Sequence, residues 1–125
     1  MRYLKNARQL AASAPQDGRT FTAKKPVREA FRIGFRGVLK AVDAYLMSLG
    51  FSAKELPKSV DGYVEAMERL VQPRDSSLAR EFDSVYHALY LAGYQDSLLR
   101  DVRIVQQVLK CAERFIKRLG VAHKG

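Results

Sequence analysis

The chain is 125 residues long and 47% apolar, with 22 Lys and Arg against 13 Asp and Glu and a formal net charge of +9. That is one domain's worth of chain with enough apolar side chains for a packed core, which excludes a disordered tail; four Pro and eight Gly are too few for a turn-rich β-sandwich. The single cysteine, Cys111, excludes an internal disulfide framework and a thiolate-rich zinc site.

The first predicted helix runs from Arg2 to Ala14, with Tyr3, Ala7, Leu10 and Ala14 on one face. Pro15, Asp17 and Gly18 end it, and a polar loop follows through Lys25, with Phe21 available to pin it to the core. Pro26 opens a long second helix to Leu49, closed by Gly50. At about 100° per residue this helix carries an apolar ridge, Phe31, Phe35, Val38, Val42, Tyr45 and Leu49. Beside it lies a ridge of small residues, Ala30, Gly34, Gly37, Ala41, Ala44 and Ser48. A glycine inside a helix costs on the order of 1 kcal/mol against Ala, so close approach of another helix is expected there.

Ser59 is the expected N-cap of a third helix, Val60 to Val71, and Asp75 or Ser76 that of a fourth, ending near Ala92. The fourth buries Leu78, Phe82, Val85, Leu89 and Ala92, and Gly93-Tyr94-Gln95-Asp96 breaks its pattern. A fifth helix runs from Asp101 to Leu119, with Val105, Val108, Ala112, Phe115 and Leu119 inward. Gly120 stops it, leaving residues 121–125 as a flexible tail. With no alternating strand signal, the expectation is an all-α, single-domain, five-helix up-and-down bundle over residues 1–120. No segment reaches the roughly 18 unbroken apolar residues of a membrane span, and the N-terminus is charged where a signal peptide is apolar. A cytoplasmic protein with no membrane contact is expected.

Charge is unevenly spread. Residues 1–40 hold ten basic and two acidic side chains, residues 41–99 five and nine, and residues 100–125 seven and two. The basic ends either meet a polyanion, nucleic acid or an acidic protein, or neutralise the acidic middle within the fold. Arg28, Arg32, Arg36 and Lys40 form a stripe along the second helix. It is either a solvated face, with Asp43 as a partner for Arg36 or Lys40, or a phosphate-tracking surface, although no aromatic platform interleaves with it.

On the fourth helix Arg80, Asp83, His87, Tyr90 and Tyr94 line one stripe away from the core. Read as chemistry, Arg80 stabilises an anion, Asp83 orients the imidazole and His87 shuttles a proton. Read as structure, Asp83 and His87 pair on the surface while Tyr86, Tyr90 and Tyr94 pack their rings at a helix interface. With His87 and His123 as the only histidines, no multi-histidine metal site is expected, and no Gly-rich phosphate loop is present, so no metal or cofactor is expected. Cys111 lies beside the apolar face of its helix as a small packing residue.

The segment "VREAFRIGFRGVLKAVDAYLMSLGF" (27–51), with "KSVDGY" (58–63) and "HALYLAGYQDS" (87–97), resembles a family of small, uncharacterised bacterial helical proteins over most of the chain. More distantly, the long helix ending in "LMSLG" and a later Arg and His resemble HEPN domains, many of which are ribonucleases of toxin and defence systems. Their mark is an Arg followed after four to six residues by a His, and six residues separate Arg80 from His87. The residue after the Arg is Glu81, where active members commonly have Asn, Asp or His. That resemblance implies a homodimer bringing two copies of Arg80 and His87 together for metal-independent RNA cleavage. The residues themselves favour a non-enzymatic binding or scaffold module with basic ends.

Overall fold

A long central helix organises the molecule. The computed structural model describes residues 2–18, 20–22, 24–95 and 101–124. It contains α1 (Arg2–Ser13), a short antiparallel ribbon of β1 (Gln16–Asp17) and β2 (Thr20–Phe21), and α2 (Lys24–Ser48). A 3₁₀ turn at Ala53–Glu55 leads to α3 (Val60–Ala66), which continues as a π-helical stretch over Met67–Val71. Then come α4 (Ser76–Val85), continued by a π-helix over Tyr86–Gln95, and α5 (Val102–Lys124). The fold is an all-α bundle.

Helix α2 is central because its small residues let others in. A methyl group on Gly34 would meet Leu109 of α5, Leu4 of α1 and Leu89 of α4, so three helices converge on that backbone position. Around it Phe31, Phe35, Val38, Val42, Phe115, Leu119 and Phe82 are buried. Tyr94 lies beside Arg28 and Tyr86 beside Phe35, so α4 runs antiparallel to α2; Arg118 near Asp75 and Phe115 beside Phe82 make α5 antiparallel to α4. With α1 folding back along α2, the four long helices alternate in direction.

The expected stops and caps are visible in detail. Ser59 Oγ accepts from the Gly62 N–H at 3.0 Å, and Asp75 Oδ1 from the Leu78 N–H at 3.1 Å. Gly50, at φ 105°, ends α2: its N–H reaches the Met47 carbonyl and that of Phe51 the Leu46 carbonyl. Helix α2 begins at Lys24, ahead of Pro26, because a proline in the first turn lacks only an N–H that would be unpaired there anyway. The loop before it contains the β-ribbon, turned at Gly18 (φ 63°), and Phe21 is buried.

Four boundaries or facings differ from the periodic expectation. On α1 Leu4, Ala7 and Ala11 are buried while Tyr3 and Leu10 are half-buried. Helix α4 does not break at Gly93. Its π-helical continuation adds a residue to each turn, so the core position after Leu89 is Gly93 rather than Ala92. Gly93 is buried where a methyl group would lie 2.7 Å from the Phe31 ring. On α5, Leu109 is fully buried while Val108 is half-buried. The same helix passes through Gly120 to Lys124, so the expected tail is helical up to its last residue, and Gly125 lies outside the described residues, as does Asp96 of the expected break. A methyl group at Gly120 would meet nothing, so that glycine costs only its propensity.

Candidate functional site

The π-helical part of α4 presents a ladder of rings to α2. Tyr86 stacks on Phe82 (centroids 6.3 Å) and on Tyr90 (5.7 Å), and Tyr90 packs at a tilt against Tyr94 (5.8 Å). Phe35 packs against Tyr86 and Tyr90 at 6.1 and 5.1 Å. Burial, reinforced by Asp61, Tyr90 and Asp83 nearby, raises the Tyr86 phenol above its ordinary pKa.

At the end of this ladder Arg28 lies over Tyr94, its guanidinium carbon 5.1 Å from the ring centroid, and its Nε donates to the Tyr94 carbonyl at 3.0 Å. The cation thus stacks on the ring and also satisfies a late carbonyl of the helix. Two turns further along α2, Arg36 lies 6.0 Å from the Tyr3 centroid, and Arg2 approaches the same ring at 5.7 Å. Between them Arg32 is engaged by Glu29 (2.9 Å), whose carboxyl that bond holds below its usual pKa while the guanidinium is raised. Lys40 is exposed, with no ion-pair partner among the described residues. Asp43, expected to pair with Arg36 or Lys40, instead accepts from Tyr63 Oη at 2.7 Å. Burial and that hydrogen bond push the Tyr63 phenol well above its ordinary value. The stripe Arg28, Arg32, Arg36 and Lys40 therefore does have aromatic partners. Tyr94 and Tyr3 come from other helices, which is why a reading of the stripe within one helix misses them.

The fourth-helix ridge is divided. His87 Nδ1 lies 2.8 Å from the Asp83 backbone carbonyl and 3.5 Å from its carboxylate, and the His87 ring sits edge-on to Tyr86 at 5.4 Å. The nearer carbonyl, which can only accept, makes Nδ1–H the donor and leaves Nε2 as the acceptor nitrogen of the neutral ring. Asp83 and Arg80 together line a shallow groove against α3 with Glu68 and Gln72. Arg80 is seven residues from His87, about 10 Å along a helix axis. Glu81 faces away from this ridge: Arg118 Nη1 donates to it, and the same guanidinium reaches Ser77 Oγ at 2.6 Å. Glu81 thus clamps α4 to α5. Cys111 is exposed rather than packed, and accepts from Arg114 at 2.9 Å.

Among the described residues, only the Arg118 cluster, with Glu81 and Asp75, is an ion pair joining a basic end to the acidic middle. The others, Arg8–Glu113, Arg32–Glu29, Arg69–Glu65 and His87–Asp83, stay within the ends or within the middle. Most of the terminal positive charge therefore remains at the surface. No cluster of three or more His, Cys, Asp or Glu suited to a metal occurs among the described residues, and no helix there is long and apolar enough to cross a membrane.

The family described as a domain of unknown function (DUF5618) matches residues 1–121. The chain belongs to the DUF5618 family. Among solved structures, this DUF5618 chain is similar to a protein of unknown function from Dyadobacter fermentans, with a TM-score of 0.73 and 26% identity. The match covers 94% of this chain and 87% of that one. No curated protein matches the DUF5618 chain.

Proposed function

We propose that this DUF5618 chain is a non-enzymatic, cytoplasmic binding module for single-stranded nucleic acid, and that the outer face of α2 is its contact surface. The observation that carries the reading is the alternation of cations and rings there: Arg28 on Tyr94, then Arg36 and Arg2 on Tyr3, with Lys40 beyond. A charged groove alone would suit an acidic protein equally well. Bases add a need for flat surfaces, and tyrosine rings and guanidinium planes supply them without reading sequence. The fixed ladder Tyr86–Tyr90–Tyr94 holds the outermost ring in place before any ligand arrives.

Titration of the protein with an unstructured oligonucleotide of about 15 nucleotides tests this, since the site sizes of such proteins run to about 16 nucleotides. The chain has no Trp, so quenching of its own tyrosine fluorescence reports stacking directly. Binding by the wild type that weakens several-fold in Tyr94→Leu is expected. Equal binding by Tyr94→Leu would leave only charge attraction and favour an acidic protein partner.

A second reading is favoured by one observation, the exposed His87 with Nδ1 fixed on the Asp83 backbone carbonyl. In a homodimer, Arg80 of one copy beside His87 of the other would make a metal-independent ribonuclease. RNA cleavage by the wild type but not by a folded His87→Ala variant supports it, and intact RNA with both proteins rules it out.

A further inference from the structure

The two basic ends of the chain come together on the opposite flank of α1. A groove of about 710 Å³ runs between α1 and α5, inside the roughly 300–1,000 Å³ range of small-ligand sites. Its residues are sorted along its length. Helix α1 runs antiparallel to α2 and α5 parallel to it, so Arg2 and Lys5 share one end with Lys117. Gln9 and Gln106 lie toward the other end. Between them Arg8 bridges to Glu113 at 3.0 and 3.1 Å, and this bridge cancels the one carboxylate lining the groove.

We infer that this groove is a binding site for a phosphate-bearing small ligand of nucleotide size, with its phosphates at Arg2, Lys5 and Lys117 and its neutral body along Gln9 and Gln106. Two observations carry this. Lys5 and Lys117 are exposed cations with no ion-pair partner among the described residues, so the end they form has uncompensated charge. The amide end offers both donors and acceptors to a polar, uncharged group. A single strand of nucleic acid has charge at every residue and fits an open stripe such as α2. A groove with charge at one end only fits a ligand with its charge at one end. The groove shares Arg2 with the α2 surface, so Lys5 and Lys117, which line only the groove, are the positions that test it.

Calorimetric titration of the full chain with a nucleoside triphosphate, and separately with inorganic tripolyphosphate, tests it. Saturable nucleotide binding, tighter than that of tripolyphosphate, is expected. Lys5→Gln/Lys117→Gln should weaken it about tenfold or more, the scale of two lost charge-assisted contacts, whereas Lys58→Gln, an exposed lysine outside both surfaces, should not. Gln9→Leu/Gln106→Leu should erase the advantage over tripolyphosphate. All five positions are surface or half-exposed, and circular dichroism checks that each variant is folded. Absence of saturable binding at low salt, unchanged binding by Lys5→Gln/Lys117→Gln, or equal affinity for nucleotide and tripolyphosphate would each overturn the assignment.

Discussion

Two glycines on α2, one turn apart, should respond in opposite ways to the same substitution. Alanine in place of a helical glycine gains up to about 1 kcal/mol from backbone entropy alone. At Gly34 the new methyl group would lie 3.1 Å from Leu109 Cδ2 and 3.5 Å from Leu4 and Leu89 methyls, the far ends of flexible side chains. At Gly37 it would lie 2.7 Å from Tyr3 Cβ and 2.8 Å from Leu4 Cδ2. Tyr3 Cβ is one bond from the backbone, so α1 itself must move, and overpacking of that kind costs about 1–3 kcal/mol. Gly34→Ala is therefore expected to stay within about 0.5 kcal/mol of the wild type, the methyl contact offsetting the entropy gain. With two contacts under 3.0 Å the cost lies in the upper part of that range, so after the entropy gain Gly37→Ala should lose about 1–2 kcal/mol net, a fall in Tm of roughly 4–8 °C for a domain this size. Urea denaturation of both variants measures the difference, with unchanged slopes confirming that only stability has moved. Equal stability of the two variants, or a more stable Gly37→Ala, would refute the close packing of α1 on α2.

The Arg118–Glu81 clamp is about one-third exposed on each side, so solvent screening limits its worth to about 1 kcal/mol. A double-mutant cycle with Arg118→Met and Glu81→Gln should return a coupling of that size that shrinks in high salt, and a coupling near zero would remove Glu81 from a structural role. Among the six tyrosines, Tyr63 and Tyr86 hold their protons more tightly folded than unfolded, so the native state binds more protons above about pH 10. Stability from these two groups is full below about pH 10 and declines as pH rises through the alkaline range. Tyrosinate absorbance of the folded protein should accordingly include a component rising above about pH 10 that Tyr63→Phe reduces; identical titration curves for wild type and Tyr63→Phe in that range would contradict the burial of Tyr63.

Much of the fold is legible because α2 is regular. A constant angle per residue sorts its side chains into an apolar ridge, a small ridge and a basic stripe, and five of the six apolar-ridge residues are buried, with Leu49 half-buried. The caps at Ser59, Gly50 and Asp75 are legible because each depends on local chemistry. The turns of α4 beyond Tyr86 are not, since the added residue per turn is settled by how Gly93 meets Phe31, a contact between distant segments. The same holds for the candidate surface. The spacing of Arg28 and Arg36 is visible in one helix, but the rings beneath them are contributed by α4 and α1. The α1–α5 groove has only a faint trace in the sequence, the recurrence of Arg2, Lys5 and Arg8 every three residues, and its other wall is about a hundred residues away.

The most direct measurement of the binding surface is the salt dependence of oligonucleotide affinity for the wild type and for Arg28→Gln/Arg36→Gln. Each phosphate neutralised on a single strand contributes a slope of about −0.7 in log affinity against log salt. Loss of two such contacts should flatten the slope by about 1.4 and weaken binding at low salt. An identical slope and affinity in the folded double variant would show that nucleic acid does not lie along α2.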